Sequence, residues 1–259
     1  MDNKLHIALI QSVLAWENPN QNRLHFLEQI NSITQPVDII VLPEMFTSGF
    51  TMNANAIAET MEGETVSWMK GIASKKQAAI TGSLVIKEHG KFYNRLLFVY
   101  PNGQIDTYDK RHTFTLAGED KVYTAGIKKS IINYKGWTIC PLICYDLRFP
   151  VWARNIENYD LLLYVANWPT PRINAWDALL KARAIENMSY CIGVNRVGLD
   201  GNNHEYSGHS ALYDVLGNRV DAIPYEKEAV EIVTIDKSEL ELHRNKLNFL
   251  NDKDDFILK

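Results

Sequence analysis

Trp137-Thr138-Ile139-Cys140-Pro141-Leu142-Ile143 is an apolar run that reads as a buried strand, and Cys144-Tyr145-Asp146-Leu147-Arg148-Phe149-Pro150 follows it as a polar, aromatic-flanked turn. A thiol placed where a buried strand ends faces a cleft on a rigid support, which makes Cys144 the leading candidate for chemistry. Two other places share the layout. Asp38 to Leu42 reads as a buried strand, Pro43 cannot donate to a ladder and ends it, and Glu44 follows at once. Gln104 to Tyr108 reads as a short strand after the Pro101-Asn102-Gly103 turn, and Asp109-Lys110-Arg111-His112 comes next. In open α/β sheets ligands gather at the carboxyl ends of strands, so a carboxylate, an ammonium and a thiol are expected to share one cleft.

The rest of the chain repeats the alternation of strand and helix. Leu5 to Gln11 and Asp38 to Leu42 flank an amphipathic segment, Asn20 to Ser32, with Leu24, Leu27 and Ile30 at helical spacing. Glu64 to Lys76 has the helical period and Ala78 to Ile86 reads as strand, while Lys91 to Tyr100 and Gln104 to Tyr108 form a hairpin pattern. After the cysteine come a helical stretch (Val151 to Glu157), an apolar strand (Asp160 to Ala166) and a helix (Ala175 to Met188) with Trp176, Leu179, Leu180 and Ala184 on one side. Ser189 to Val197, His209 to Tyr213 and Ala229 to Ile235 are further strands. No Ser/Gly-rich linker, low-complexity tract or fixed-period repeat divides the 259 residues, so one α/β domain over 1–259 with mixed sheets covered by helices is expected. The polar tail Asn248 to Lys259 is a candidate arm for association.

Composition narrows the function. A net charge of −4 with scattered Lys and Arg offers no basic stripe for nucleic acid. The longest apolar runs fall far short of the roughly 20 residues that span a bilayer, and the start MDNKLHIALIQ lacks the features of a signal peptide. A cytoplasmic protein with no membrane or nucleic-acid partner is expected. Three cysteines form no CxxC pair, and Cys140 and Cys144 in one strand lie about 13 Å apart, too far for a disulfide. The seven histidines show no HxH, HxxxH or HExxH spacing, so neither a metal nor another cofactor is expected.

At these three strand exits the sequence resembles the nitrilase superfamily of carbon-nitrogen hydrolases, through Leu42-Pro43-Glu44-Met45-Phe46, Tyr108-Asp109-Lys110-Arg111-His112 and Ile143 to Pro150. Within it the chain most resembles the omega-amidase branch, 2-oxoglutaramate amidases included, through Met45 to Phe50, Ala166-Asn167-Trp168-Pro169 and Arg183-Ala184-Ile185-Glu186-Asn187. The resemblance implies a four-layer alpha-beta-beta-alpha sandwich that pairs with a second copy as a homodimer. It also implies hydrolysis of the terminal amide of short 2-oxo acid amides through a cysteine thioester. Glu44 becomes the base, Lys110 the cation, Cys144 the nucleophile, and a supporting glutamate falls on Glu119, seven residues before Gly126. The backbone N–H of Tyr145 would join Lys110 in holding the oxyanion.

Each residue also has a plainer reading. A lone cysteine at a strand end is more often a small buried hydrophobe, Glu44 fits a helix start and Lys110 could pair with Asp109. Three motifs in order favour chemistry, whereas Cys140 and Cys191 keep the core reading. Arg148 could hold a substrate carboxylate or lock Asp146 or Glu186, with the balance towards the structural lock. Phe46, Phe114 and Trp168 are candidates for the pocket wall, and Arg172 and His112 for carboxylate contact. Alternatives to the omega-amidase are another amidase or an N-carbamoyl hydrolase with the same Glu-Lys-Cys set, and a catalytically silent binding or assembly protein of the same fold.

Overall fold

Leu5, Ile7 and Leu9 leave the first strand on one face and Ala8 and Ile10 on the other, yet both sets are fully buried. Side chains alternate along a strand, so burial of both faces means a sheet covered on both sides. The same split recurs in Ile39 and Val41 against Ile40 and Leu42, and in Leu96 and Phe98 against Leu97 and Val99. A computed structural model describes residues 3–258.

In chain order the elements are β1 (Lys4–Gln11), α1 (Pro19–Asn31), β2 (Ile39–Val41), α2 (Ala54–Ile57), α3 (Glu64–Lys76), β3 (Ala79–Glu88), β4 (Lys91–Val99), β5 (Ile105–Asp109), β6 (Ile132–Tyr134) and β7 (Trp137–Ile143). There follow α4 (Pro150–Ala153), β8 (Leu161–Ala166), α5 (Ile173–Asn187), β9 (Tyr190–Asn195), β10 (Val197–Leu199), β11 (Glu205–Ser207), β12 (Ala211–Tyr213), β13 (Ala229–Asp236) and α6 (Lys237–Leu247). One sheet runs β13-β1-β2-β3-β4-β5 and a second runs β12-β9-β8-β7-β6, with β10 and β11 as a separate ribbon. Each main sheet mixes parallel and antiparallel pairs: β1-β2-β3 are parallel in the first and β7-β8-β9 in the second.

The outer face of the first sheet packs on α1 and α3 through Phe26, Ile30, Val66 and Met69. Its inner face meets the second sheet, whose apolar cluster continues to Trp176, Leu180 and Ala184 of α5. Helix, sheet, sheet, helix is therefore the order of layers, as the resemblance implies. Catalytic-type residues leave both sheets where strands β2, β5, β7 and β8 end.

Some expectations change. Leu24 is 64% exposed, because α1 buries Asn22, Arg23 and Phe26 alongside the expected Ile30. The helix expected over Val151 to Glu157 is one turn, α4, closed off where Asn155 exchanges hydrogen bonds with the backbone of Tyr159. Strands β6, β10 and β11 and helix α6 were not anticipated. The tail after Asn248 makes a 3-10 turn over Phe249–Asp252; Lys259 at its end, and Met1 and Asp2 at the other terminus, lie outside the described residues. No helix among the described residues is long and apolar enough to cross a membrane.

Candidate active site

Cys144 is the first residue past β7 and has φ of 44°, a left-handed conformation uncommon outside glycine. A backbone held there costs on the order of 1–3 kcal/mol and persists only where the surroundings enforce it. Asp146 does much of the enforcing. Fully buried, its carboxylate accepts from the Ile143 N–H at 3.0 Å, from the Tyr108 hydroxyl at 2.7 Å and from the His112 N–H at 2.9 Å. It thereby ties the cysteine turn to the segment that carries Lys110. Arg183 of α5 donates to the Leu147 carbonyl and pairs with Glu186 at 2.8 Å, so the Arg183 to Asn187 motif fastens the same turn from behind.

Glu44, Lys110 and Glu119 meet beside that thiol. The Lys110 ammonium lies 2.8 Å from Glu44 Oε1 and 3.0 and 2.9 Å from the two oxygens of Glu119, and all three side chains are buried. Asn167, just past β8, donates its N–H to Glu44 Oε2 at 2.8 Å and its side-chain amide to the Glu44 carbonyl at 2.6 Å. The Asn167 carbonyl is 3.9 Å from the Cys144 sulfur. Glu119 also accepts the Phe114 N–H. Lys110 is stitched in place by its own backbone: its N–H donates to the Asn94 carbonyl, and its carbonyl accepts from Gly126.

Charge and burial set the protonation states. Burial alone would pull the Lys110 ammonium down, but Glu119 and Glu44 together hold it above its ordinary range, so it stays charged. Burial pushes the Cys144 thiol well up, Glu44 adds to the rise and Lys110 opposes it. Burial and Glu44 thus favour the thiol form over the thiolate, with the Glu44 carboxylate as its hydrogen-bonding neighbour. Glu119 is raised by burial and by Glu44 against the opposing pull of Lys110.

A cavity of about 620 Å³ opens onto Cys144 and Lys110. Of the residues singled out from sequence, Phe114, Tyr145, Arg148, Trp168 and Arg172 line it. Two do not. Phe46 is fully buried between the first sheet and its helices, edge-on to Phe26 at 5.5 Å, and Phe50 takes the wall position instead, 5.1 Å beneath the Lys110 ammonium. His112 stacks on Phe149 at 3.7 Å and bonds Asp146, away from the cavity. The structural lock favoured for Arg148 is also corrected, since Asp146 and Glu186 have other partners. Its guanidinium lies over the Trp168 ring at 5.0 Å with no acidic partner among the described residues, and Arg172 lies likewise over Phe114 at 5.2 Å. Nor does Lys110 pair with Asp109, which is bound by Arg95 at 2.6 Å.

Asn94 and the binding role of Asn167 escaped the sequence reading. Asn167 stood inside a quoted motif, and its contact with Glu44 spans 123 positions that no local pattern reveals. Asn94 is one polar residue within a strand. Cys140 and Cys191 are fully buried, flank Leu162 from the two neighbouring strands and keep their core role. No group of three or more His, Cys, Asp or Glu suited to a metal stands together among the described residues.

Comparison with known proteins agrees with this geometry. The family model for carbon-nitrogen hydrolases matches residues 6–245. Omega-amidase YafV of Yersinia enterocolitica is 44% identical over 257 residues, covering 98% of each chain. A 2-oxoglutaramate amidase of Bacillus subtilis is 32% identical over 241 residues, covering 91% of this chain and 92% of the relative. The crystal structure of XC1258 from Xanthomonas campestris, a CN-hydrolase superfamily protein with an arsenic adduct in its active site, superposes with a TM-score of 0.96 at 42% identity over 99% of both chains. With its strand-exit cysteine, buried lysine and paired glutamates set in a four-layer sandwich, this chain belongs to the carbon-nitrogen hydrolase family.

Proposed function

We propose that the protein is an omega-amidase that hydrolyses the terminal amide of short 2-oxo acid amides, 2-oxoglutaramate and 2-oxosuccinamate, to the 2-oxo acid and ammonia. The observation that carries the substrate class is a pair of guanidiniums, Arg148 and Arg172, that share the cavity with Cys144 and have no acidic partner among the described residues. A guanidinium without a counter-ion, lying flat on an aromatic face, is prepared for the carboxylate of an incoming acid. The omega-amidase and 2-oxoglutaramate amidase names of the relatives support the same reading.

In the first half-reaction the Cys144 sulfur attacks the amide carbon while Glu44 takes the thiol proton. Lys110 and the Tyr145 N–H hold the developing oxyanion. Glu44 then gives the proton to the nitrogen, the C–N bond breaks and ammonia leaves a thioester. In the second half Glu44 takes a proton from water, the hydroxide attacks the thioester, the C–S bond breaks and the sulfur recovers its proton from Glu44. Glu119 keeps Lys110 charged and in place.

The whole chain, 1–259, acts as one hydrolase unit in this reading, and works as a homodimer in the cytoplasm. Exposed apolar residues in the tail, Phe249, Ile257 and Leu258, support an arm that packs on a second copy. Three free cysteines suit a reducing compartment. The deciding experiment measures ammonia release from 2-oxoglutaramate beside glutamine, an N-carbamoyl amino acid and a simple nitrile, with Cys144→Ala as control. Turnover of 2-oxoglutaramate alone, abolished in Cys144→Ala, is expected; preference for any of the other three would overturn the substrate assignment.

A further inference from the structure

The geometry points to Asn94 as a fifth member of the catalytic cluster, a positioning residue that fixes which oxygen of Glu44 carries the proton. Asn94 lies in β4 and is 1% exposed. Its side-chain amide nitrogen donates to Glu44 Oε1 at 2.8 Å and to Glu119 Oε1 at 3.3 Å, while its backbone carbonyl receives the N–H of Lys110 at 3.0 Å. One residue therefore touches the base, the supporting glutamate and the lysine. The orientation of the amide is fixed by its neighbours, because turning it over would set an amide oxygen against two carboxylates.

Two consequences follow for Glu44. Its Oε1 already accepts from both Lys110 and Asn94, whereas Oε2 accepts from the Asn167 N–H. A proton taken from sulfur must settle on the oxygen less occupied by donors, which is Oε2, beside the Asn167 carbonyl that contacts the sulfur. There it stands ready for the leaving nitrogen. Asn94 also places a donor between two buried carboxylates that would otherwise repel each other across the lysine. Without it Oε1 keeps only Lys110 as a donor against the Asn167 N–H on Oε2, and the proton is no longer directed to one oxygen.

The proposal rests on Glu44 being the base, so its test includes a readout that needs no amide turnover. Asn94→Ala and Asn94→Asp are compared with the wild-type protein in kcat and KM for the amide, in the rate of Cys144 alkylation by iodoacetamide at pH 7, and in thermal midpoint. For Asn94→Ala a kcat lower by on the order of a hundredfold is expected, the scale of a disabled general base, with KM within about twofold. Alkylation should slow by at least about tenfold. Asn94→Asp, equal in size but presenting an acceptor to two carboxylates, should be the more damaged. If Asn94 only fills space, Asp will be the milder change and Ala will lower stability while leaving kcat and alkylation within about twofold; that pattern overturns the proposal. Should the Asp variant fail to fold, the Ala variant decides alone. Should the wild-type protein hydrolyse no amide tested, alkylation still decides for Asn94 while the functional reading falls separately.

Discussion

Arg148 shows how a single side chain changes meaning once its neighbours are known. From sequence it stood four residues past the nucleophile with two acids in reach, and an ion pair was the economical reading. In the fold Asp146 is already bound by Tyr108, Ile143 and His112, and Glu186 by Arg183, which leaves the guanidinium over Trp168 at the cavity. Replacing it tests the carboxylate role. Arg148→Leu should raise KM for 2-oxoglutaramate on the order of ten- to a hundredfold, the value of one charged hydrogen bond, and leave alkylation of Cys144 by neutral iodoacetamide unchanged. An unchanged KM would move the carboxylate to Arg172. Glu44, Lys110 and Cys144 were legible because each stands within three residues of a strand end, where a reactive group is presented. Asn94 was not, because its meaning lies in contacts with residues 50 and 25 positions away.

At the scale of elements, the loop from β5 to β6 illustrates how backbone can serve chemistry. It must bring Glu119 back onto Lys110, and it does so by passing Gly126 against the end of β5, where its N–H reaches the Lys110 carbonyl at 2.9 Å. A Cβ at Gly126 would lie 2.1 Å from the Asp109 carbonyl oxygen, so a side chain there forces the loop away. Gly126→Ala should therefore cost about 1–3 kcal/mol of stability, the usual penalty of overpacking, and should lower kcat more than KM. Denaturant unfolding together with steady-state kinetics would check both. The strands and long helices could be read from sequence because both faces of the sheets are apolar and α3 keeps its period. Helix α1 defeated the apolar count: its buried side carries Asn22, satisfied by Ala15 and Thr47, and Arg23, satisfied by Thr65. Hydrophobic spacing has no means of weighing buried polar residues whose partners are distant. Short strands such as β10 and β11 fall below the length at which any period is visible.

For the whole molecule, the proposed homodimer makes a prediction about the tail. Residues 253–258 have no regular structure, and Ile257 among them is 90% exposed. An apolar residue at that exposure, on a segment that contributes little to the core, is the kind of surface a partner covers. Removing residues 253–259 should leave far-ultraviolet circular dichroism unchanged and lower the mass seen by light scattering from dimer towards monomer. A truncated protein that keeps the dimer mass would place the interface elsewhere. The four-layer order was within reach of the sequence through the motifs at the three strand exits. Which two sheets would face each other through which residues was not, since that depends on contacts between strands far apart in the chain.

The two oxygens of Glu44 are held from opposite sides of the interior: Oε1 by Lys110 and Asn94 of the first sheet, Oε2 by Asn167 of the second. This makes the carboxylate a latch that closes only when both sheets have docked. During synthesis Glu44, Lys110 and Cys144 all leave the ribosome before Asn167, so the contacts that hold Glu44 Oε2 and the Glu44 carbonyl can form only after the residue past β8 has been made.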